Sequence, residues 1–143
     1  MKKIESKSTE SLKNIVIDAC LDIKAHDVVV LDLRQIKEAV ADYFIICHGD
    51  SSTQVNAIAN NVVDKVKNMT GDIAISKEGF KNGEWALVDY GDVVAHIFYR
   101  ETRFFYQLED LWSDAKLIEI KEEEFLKKDI KKSKHAGARK KAK

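Results

Sequence analysis

No stretch of this sequence approaches the roughly 18 consecutive apolar residues that a membrane-spanning helix requires. Lys2 and Lys3 follow Met1, but no apolar segment stands behind them, so no secretory signal is expected and the cytoplasm is the default compartment. Cysteine is scarce. Cys20 and Cys47 lie far apart with no Cys-x-x-Cys pair, which excludes zinc-finger spacing and a disulfide framework. Each falls at an apolar position of a periodic segment and reads as a small buried hydrophobe. Proline is missing altogether, only six glycines punctuate 143 residues, and there is no net charge.

What is present describes an ordinary globule: 45% hydrophobic and 34% charged residues, well away from the composition of a disordered chain. Folding at this length removes about 68–70% of the unfolded surface from water, enough for one core without staples. The charge balance hides an asymmetry. From 127 to 143 there are nine basic residues against the single acid Asp129, a surplus of +8, so the first 126 residues carry −8. An acidic body with a basic tail is a polarised molecule, and such tails often contact nucleic acid.

Leu12, Ile15, Val16, Ala19, Cys20 and Ile23 repeat at helical spacing and predict a first helix, with Ser8 or Thr9 as its cap and Glu10 in the first turn. Val28–Leu33 is a β-branched run that reads as a strand buried on both faces. Arg34–Ala41 is a connector with one or two helical turns, and Tyr43–Cys47 is a second strand. Gly49-Asp50-Ser51-Ser52 supplies a tight turn and a choice of caps for a helix carrying Val55, Ile58, Ala59, Val62, Val66 and Met69 on one face, ended by Gly71. Ile73–Ser76 reads as a short strand and Glu78–Gly83 as a polar loop. Trp85–Asp89 and Val93–Phe98 flank Tyr90-Gly91-Asp92, a turn of hairpin length. A last helix is expected from about Thr102 to Trp112, with Phe104, Leu108, Leu111 and Trp112 on one stripe.

The order α-β-β-α-β-β-β-α predicts an α/β (α+β) fold: a mixed sheet of about five strands covered by helices, around one core. Apolar periodicity fades after Asp114, so the domain is expected at 1–114, followed by a charged extension at 115–143 whose basic end reads as mobile.

Four histidines invite an enzymatic reading. His26 and His135 sit in a turn and the tail, His48 ends a strand, and His96 shares a strand face with Val94 and Phe98, where a hydrogen-bonded structural histidine is expected. No nucleophile with a base partner emerges from spacing. Nucleotidyl transfer is the sharper hypothesis, because Gly49-Asp50-Ser51 lies before a helix N-terminus where amides can hold phosphate. Such enzymes place two carboxylates, one residue apart, on the next strand. Here that strand begins Asp72-Ile73-Ala74, and one aspartate does not clamp two metal ions. Asp89 and Asp92 flank the hairpin turn and could pass for a metal pair, although aspartate in turns commonly bonds nearby backbone. Alternation puts Trp85, Leu87 and Asp89 on one strand face and Ala86, Val88 and Tyr90 on the other. Either the even set faces the core and a Trp-Leu-Asp stripe is an interface anchor, or Trp85 is packing; alternation leaves both open.

Three blocks then fall into a pattern. Ala41 to Cys47, with Gly49 and the Ser51-Ser52 cap, resembles the first signature of the ribosomal silencing factor RsfS (Iojap-like) family. Gly83 to Phe98 resembles its second and most specific signature, and Phe105 to Trp112 is similar to its closing helix. The match runs from about Ser8 to Asp114 with the blocks in family order. The resemblance implies a nucleotidyltransferase-like fold without that activity, so no catalytic residue, metal or cofactor is expected. It implies binding to the large ribosomal subunit through its fourteenth protein at the intersubunit face, blocking subunit joining and lowering translation when nutrients are scarce. It further implies homodimers of the free protein. Carried over, the partner face comprises Trp85, Leu87, Asp89, Tyr90 and Asp92, which favours the outward reading of Trp85.

Electrostatics agree with this implication. A −8 body is steered towards a basic protein patch and repelled by bare rRNA, mainly within the Debye length of about 8 Å. The basic tail departs from the shorter family pattern. Lys131, Lys132, Lys134, Arg139, Lys140 and Lys141 are candidates for reaching rRNA phosphates beside the docked domain, against the alternative of a solvated tail aiding solubility. Two other functions remain in view: a large-subunit assembly factor using the same surface, and an enzyme acting on nucleotides.

Overall fold

The apolar stripe from Leu12 to Cys20 becomes the inward face of helix α1 (Lys2–Asp22), with Val16, Ala19 and Cys20 fully enclosed and Ile23 just past its end. The structure, a computed structural model, describes residues 2–125, with side chains from Thr9 onward in α1. The helix does not begin at the expected cap; it runs back through Ser8 and Thr9 to Lys2. Thr9 is buried, and its hydroxyl donates to the Asp92 carboxylate at 3.2 Å, a tertiary bond from within the helix.

Strands β1 (His26–Asp32) and β2 (Tyr43–Gly49) are antiparallel neighbours. Their connector holds isolated turns, closed by bonds from the Ile36 N–H to Leu33 and from the Ala39 N–H to Ile36, rather than the expected helical turns. Arg34 grips Asp32 in a two-toothed ion pair at 2.8 and 2.9 Å, fixing the exit from β1. Helix α2 (Ser52–Thr70) has the expected ends: the Ser51 hydroxyl accepts the Gln54 N–H at 3.0 Å, and Gly71, at φ +84°, bonds back to Lys67.

Four strands and a broken helix complete the domain: β3 (Ser76–Glu78), β4 (Trp85–Asp89), β5 (Val93–Tyr99), α3 (Arg100–Tyr106), α4 (Leu108–Leu111) and β6 (Lys116–Glu119). The sheet therefore has six strands, in the order β3-β4-β5-β2-β1-β6. Among the described residues only β2 and β5 pair in parallel. The sixth strand lies in the segment the sequence set apart as an extension. It pairs with β1 from Val29↔Glu119 to Asp32↔Lys116, and all four of its residues are exposed at the sheet edge, so it carries no alternating pattern. The third strand starts later than Ile73. Ile73 and Ile75 are exposed, and pairing begins only where the Ile75 N–H reaches the Asp89 carbonyl. The single closing helix is broken at Gln107, which adopts φ +47°; Phe104 and Leu111 are exposed, leaving only Leu108 and half-buried Trp112 of the expected stripe inside.

Alternation along the central strands sends side chains into two separate clusters. Tyr43, Ile45, Cys47, Val93, Ala95 and Ile97 join Ala86 and Val88 beneath α1 and α2. Phe44, Ile46, Val94 and Phe98 face the other way, with Leu31, Leu33 and Leu108. Cys20 and Cys47 are buried free thiols in the first cluster, and their mutual hydrogen bond together with burial pushes the Cys20 thiol well above its ordinary value.

Candidate partner-binding face

Ala86 and Val88 are fully buried under the helices, so the even residues of β4 face the main core and Trp85, Leu87 and Asp89 stand on the opposite face. Trp85 is half-buried there, not a free flag. Its ring lies 4.7 Å from that of Phe98 and 5.0 Å from that of Tyr106 (centroid distances), and its indole N–H donates to His96 Nδ1 at 3.1 Å. Leu87 packs on the same second cluster.

The strip continues onto α3. Tyr106 is 53% exposed and Phe105 79% exposed, with their rings edge-to-face at 5.0 Å. Trp85, Tyr106 and Phe105 thus form an aromatic surface rising from half-buried to open. Sequence reasoning missed Tyr106 and Phe105 as surface residues. On the expected stripe of Phe104, Leu108, Leu111 and Trp112 the helical period already turns Tyr106 outward, about 200° from Phe104, but spacing does not show that Trp85 stands beside it.

The remaining residues assigned to the face are spread around the turn. Asp89 accepts the Gly91 N–H at 2.7 Å, an Asx turn that shapes the hairpin. Asp92 accepts from Thr9, and its carbonyl receives the N–H groups of Asp42 and Tyr43. Tyr90 lies across the sheet, packed on the main core; burial and the nearby Asp72 charge push its hydroxyl up to about 12. The structure brings Trp85, Leu87 and Asp89 to one face and places Tyr90 on the other. Lys131, Lys132, Lys134, Arg139, Lys140 and Lys141 lie outside the described residues.

Arg103 holds α3 in place. Only 6% exposed, it donates to Glu109 at 2.6 and 3.0 Å, to the Asp27 carbonyl at 2.8 Å, and shares a 2.9 Å contact with His48 Nδ1. Arg103 is always a donor, so His48 accepts through Nδ1 and is neutral. Burial first, then the Arg103 charge, lowers the His48 pKa. This hub ties the α3–α4 corner to β1 and β2, which carries Tyr106 to Trp85.

The Gly49–Ser51 turn is closed on itself. The Asp50 N–H donates to Gln54 Oε1 at 2.7 Å, the Gln54 N–H to Ser51, and the Asp50 carboxylate meets His26 at 2.9 Å. Asp72 follows Gly71 at the far end of the 19-residue α2, roughly 28 Å along its axis. The structure does not bring turn and aspartate together.

Residues 6–143 match the family model described as ribosomal silencing factor during starvation. A ribosomal silencing factor RsfS from Bacillus subtilis is 45% identical over 112 residues, covering 78% of this chain and 92% of that protein. A crystal structure of a Chromobacterium violaceum protein, 38% identical, superposes with a TM-score of 0.69 over 73% of this chain and 85% of its own. A Mus musculus relative named mitochondrial assembly of ribosomal large subunit protein 1 is 35% identical over 74 residues, 50% of this chain and 32% of that protein. The chain belongs to the ribosomal silencing factor RsfS family.

Proposed function

We propose that this protein binds the large ribosomal subunit through its fourteenth protein and, seated on the intersubunit face, blocks the small subunit from joining, which lowers translation. The observation that carries this reading is the aromatic surface of Trp85, Tyr106 and Phe105 on a body of charge −8. Aromatic side chains are the usual anchors of protein interfaces, and the acidic body complements a basic ribosomal protein. The names borne by the relatives support a ribosomal partner. A binding role without catalysis is supported by the Gly49–Ser51 turn, where the Asp50 N–H is spent on Gln54 Oε1 and the Ser51 hydroxyl accepts the Gln54 N–H. Action on ribosomes supports a cytoplasmic location.

A second reading, assistance in large-subunit assembly, is favoured by the name of the Mus musculus relative. It uses the same surface. Sedimentation against separated subunits tests the proposal: the protein is expected to travel with large subunits and to reduce subunit joining. Trp85→Ala is expected to weaken that association by about 2 kcal/mol or more. Loss of folding stability without a separate binding defect would make Trp85 a packing residue. Retained binding with unimpaired subunit joining would turn the reading to assembly.

A further inference from the structure

We propose that His96 is a positioning residue for Trp85: its Nδ1 lone pair holds the indole in the orientation that the ribosomal partner meets, an inference resting on the partner-face reading above. An indole nitrogen can only donate, so the 3.1 Å bond from Trp85 Nε1 requires an unprotonated Nδ1. The proton then sits on Nε2, which is buried and has no hydrogen-bond partner among the described residues. The ring is only 5% exposed, with Phe44 at 4.5 Å and Phe98 at 6.5 Å between centroids and Leu87 as its cross-strand pair. Burial lowers its pKa to about 4, so it is neutral at physiological pH.

A leucine at this position would fill similar space without an orphaned donor. What distinguishes histidine here is the acceptor it offers Trp85. The register explains how they meet: Trp85 pairs with Phe98 and Leu87 with His96, so indole and imidazole are diagonal neighbours on one sheet face. Packing against the tilted Phe98 ring fixes the height of the indole over the sheet, and the bond to Nδ1 fixes its rotation. Without that bond the N–H turns to water, and ordering the ring on binding costs affinity.

Three variants of the full chain decide the matter. In asparagine, Oδ1 is attached to Cγ as Nδ1 is in histidine, so His96→Asn keeps an acceptor in place; His96→Leu keeps bulk and removes it. His96→Leu is expected to be at least as resistant to denaturant as the wild type, yet to bind isolated large subunits on the order of tenfold more weakly. His96→Asn is expected to be less stable but to bind within about threefold of the wild type. This crossing of stability and affinity is something packing alone does not produce. Equal losses of affinity in both variants, or wild-type affinity in His96→Leu while Trp85→Ala fails to bind, would overturn the inference and leave the partner face standing. Wild-type affinity in Trp85→Ala removes the partner-face reading itself. Nitrogen-15 spectra of the unmodified protein give a check independent of variant folding: His96 should be the Nε2–H tautomer, and an Nδ1–H tautomer overturns the assignment.

Discussion

The rings of Trp85 and Tyr106 stand 5.0 Å apart at 47° to one another, joining the β4–β5 hairpin to α3 in one surface. Strand alternation places Trp85 outside the main core, and α3, which follows β5 directly, sets Tyr106 beside it. If this pair works as a unit, Tyr106→Ala should weaken association with large subunits by about 1–2 kcal/mol, while folding stability changes by well under 1 kcal/mol for so exposed a side chain. Phe105→Ala should act in the same direction. Titration binding and chemical denaturation of the same samples check both. A stability loss matching the affinity loss would place Tyr106 in the fold, not the interface.

Acidification tests the second cluster. His96 and His48 both have pKa values lowered in the folded chain, to about 4 for His96. The unfolded chain binds their protons first, near pH 6.5. Stability is therefore full above about pH 6.5 and is lost as pH falls towards the folded values, by up to roughly 3 kcal/mol for His96 on reaching pH 4. Denaturant unfolding at pH 7.5, 5.5 and 4.5 measures this slope. His96→Leu should flatten it markedly, because the group that takes up the proton on unfolding is gone. An unchanged slope in that variant would show that His96 is not protonated differently in the two states.

The hairpin and both ends of α2 are legible in the sequence because each is decided locally: Gly91 marks the turn, Ser51 and Gly71 the helix ends. What the chain conceals is decided at a distance. Gln107 is an ordinary residue forced to φ +47° where Arg103 and Glu109 fold the corner together across the break. Strand β6 is an exposed edge with no buried face to print a pattern, and it exists because β1 offers a free ladder. His96 reads as a structural histidine from its strand neighbours, but which nitrogen accepts, and from whom, depends on a diagonal contact across two strands.

Arg103 carries the corner, so its loss should be costly. Arg103→Met removes the ion pair with Glu109 and the donors serving the Asp27 carbonyl and His48, leaving the buried His48 Nδ1 and the half-buried Glu109 carboxylate unpaired. Breaking a fully buried pair from one side costs about 3–5 kcal/mol; with Glu109 in partial contact with solvent the loss should fall below that range, and the thermal midpoint should drop accordingly. Arg103→Met with Glu109→Leu should recover part of the loss, because a neutral pair leaves no stranded carboxylate. Additive losses in the double variant would show that Arg103 acts through the carbonyls and His48 alone. In either case Tyr106 is freed from Trp85, so large-subunit affinity should drop together with stability.

The charge asymmetry supplies the last test. Residues 127–143 carry +8, and contact of such a segment with rRNA phosphates would show itself in the salt dependence of binding. Each phosphate contact released with its counterion adds about 0.7–0.9 to the slope of log affinity against log salt. A chain truncated after residue 126 should therefore bind large subunits more weakly at low salt, with a visibly shallower salt dependence, while the folded domain keeps its denaturation midpoint. Because the truncated body is left at −8, any remaining salt dependence reports attraction to the basic protein partner. Identical affinity and slope with and without the segment would assign it to solubility rather than to rRNA.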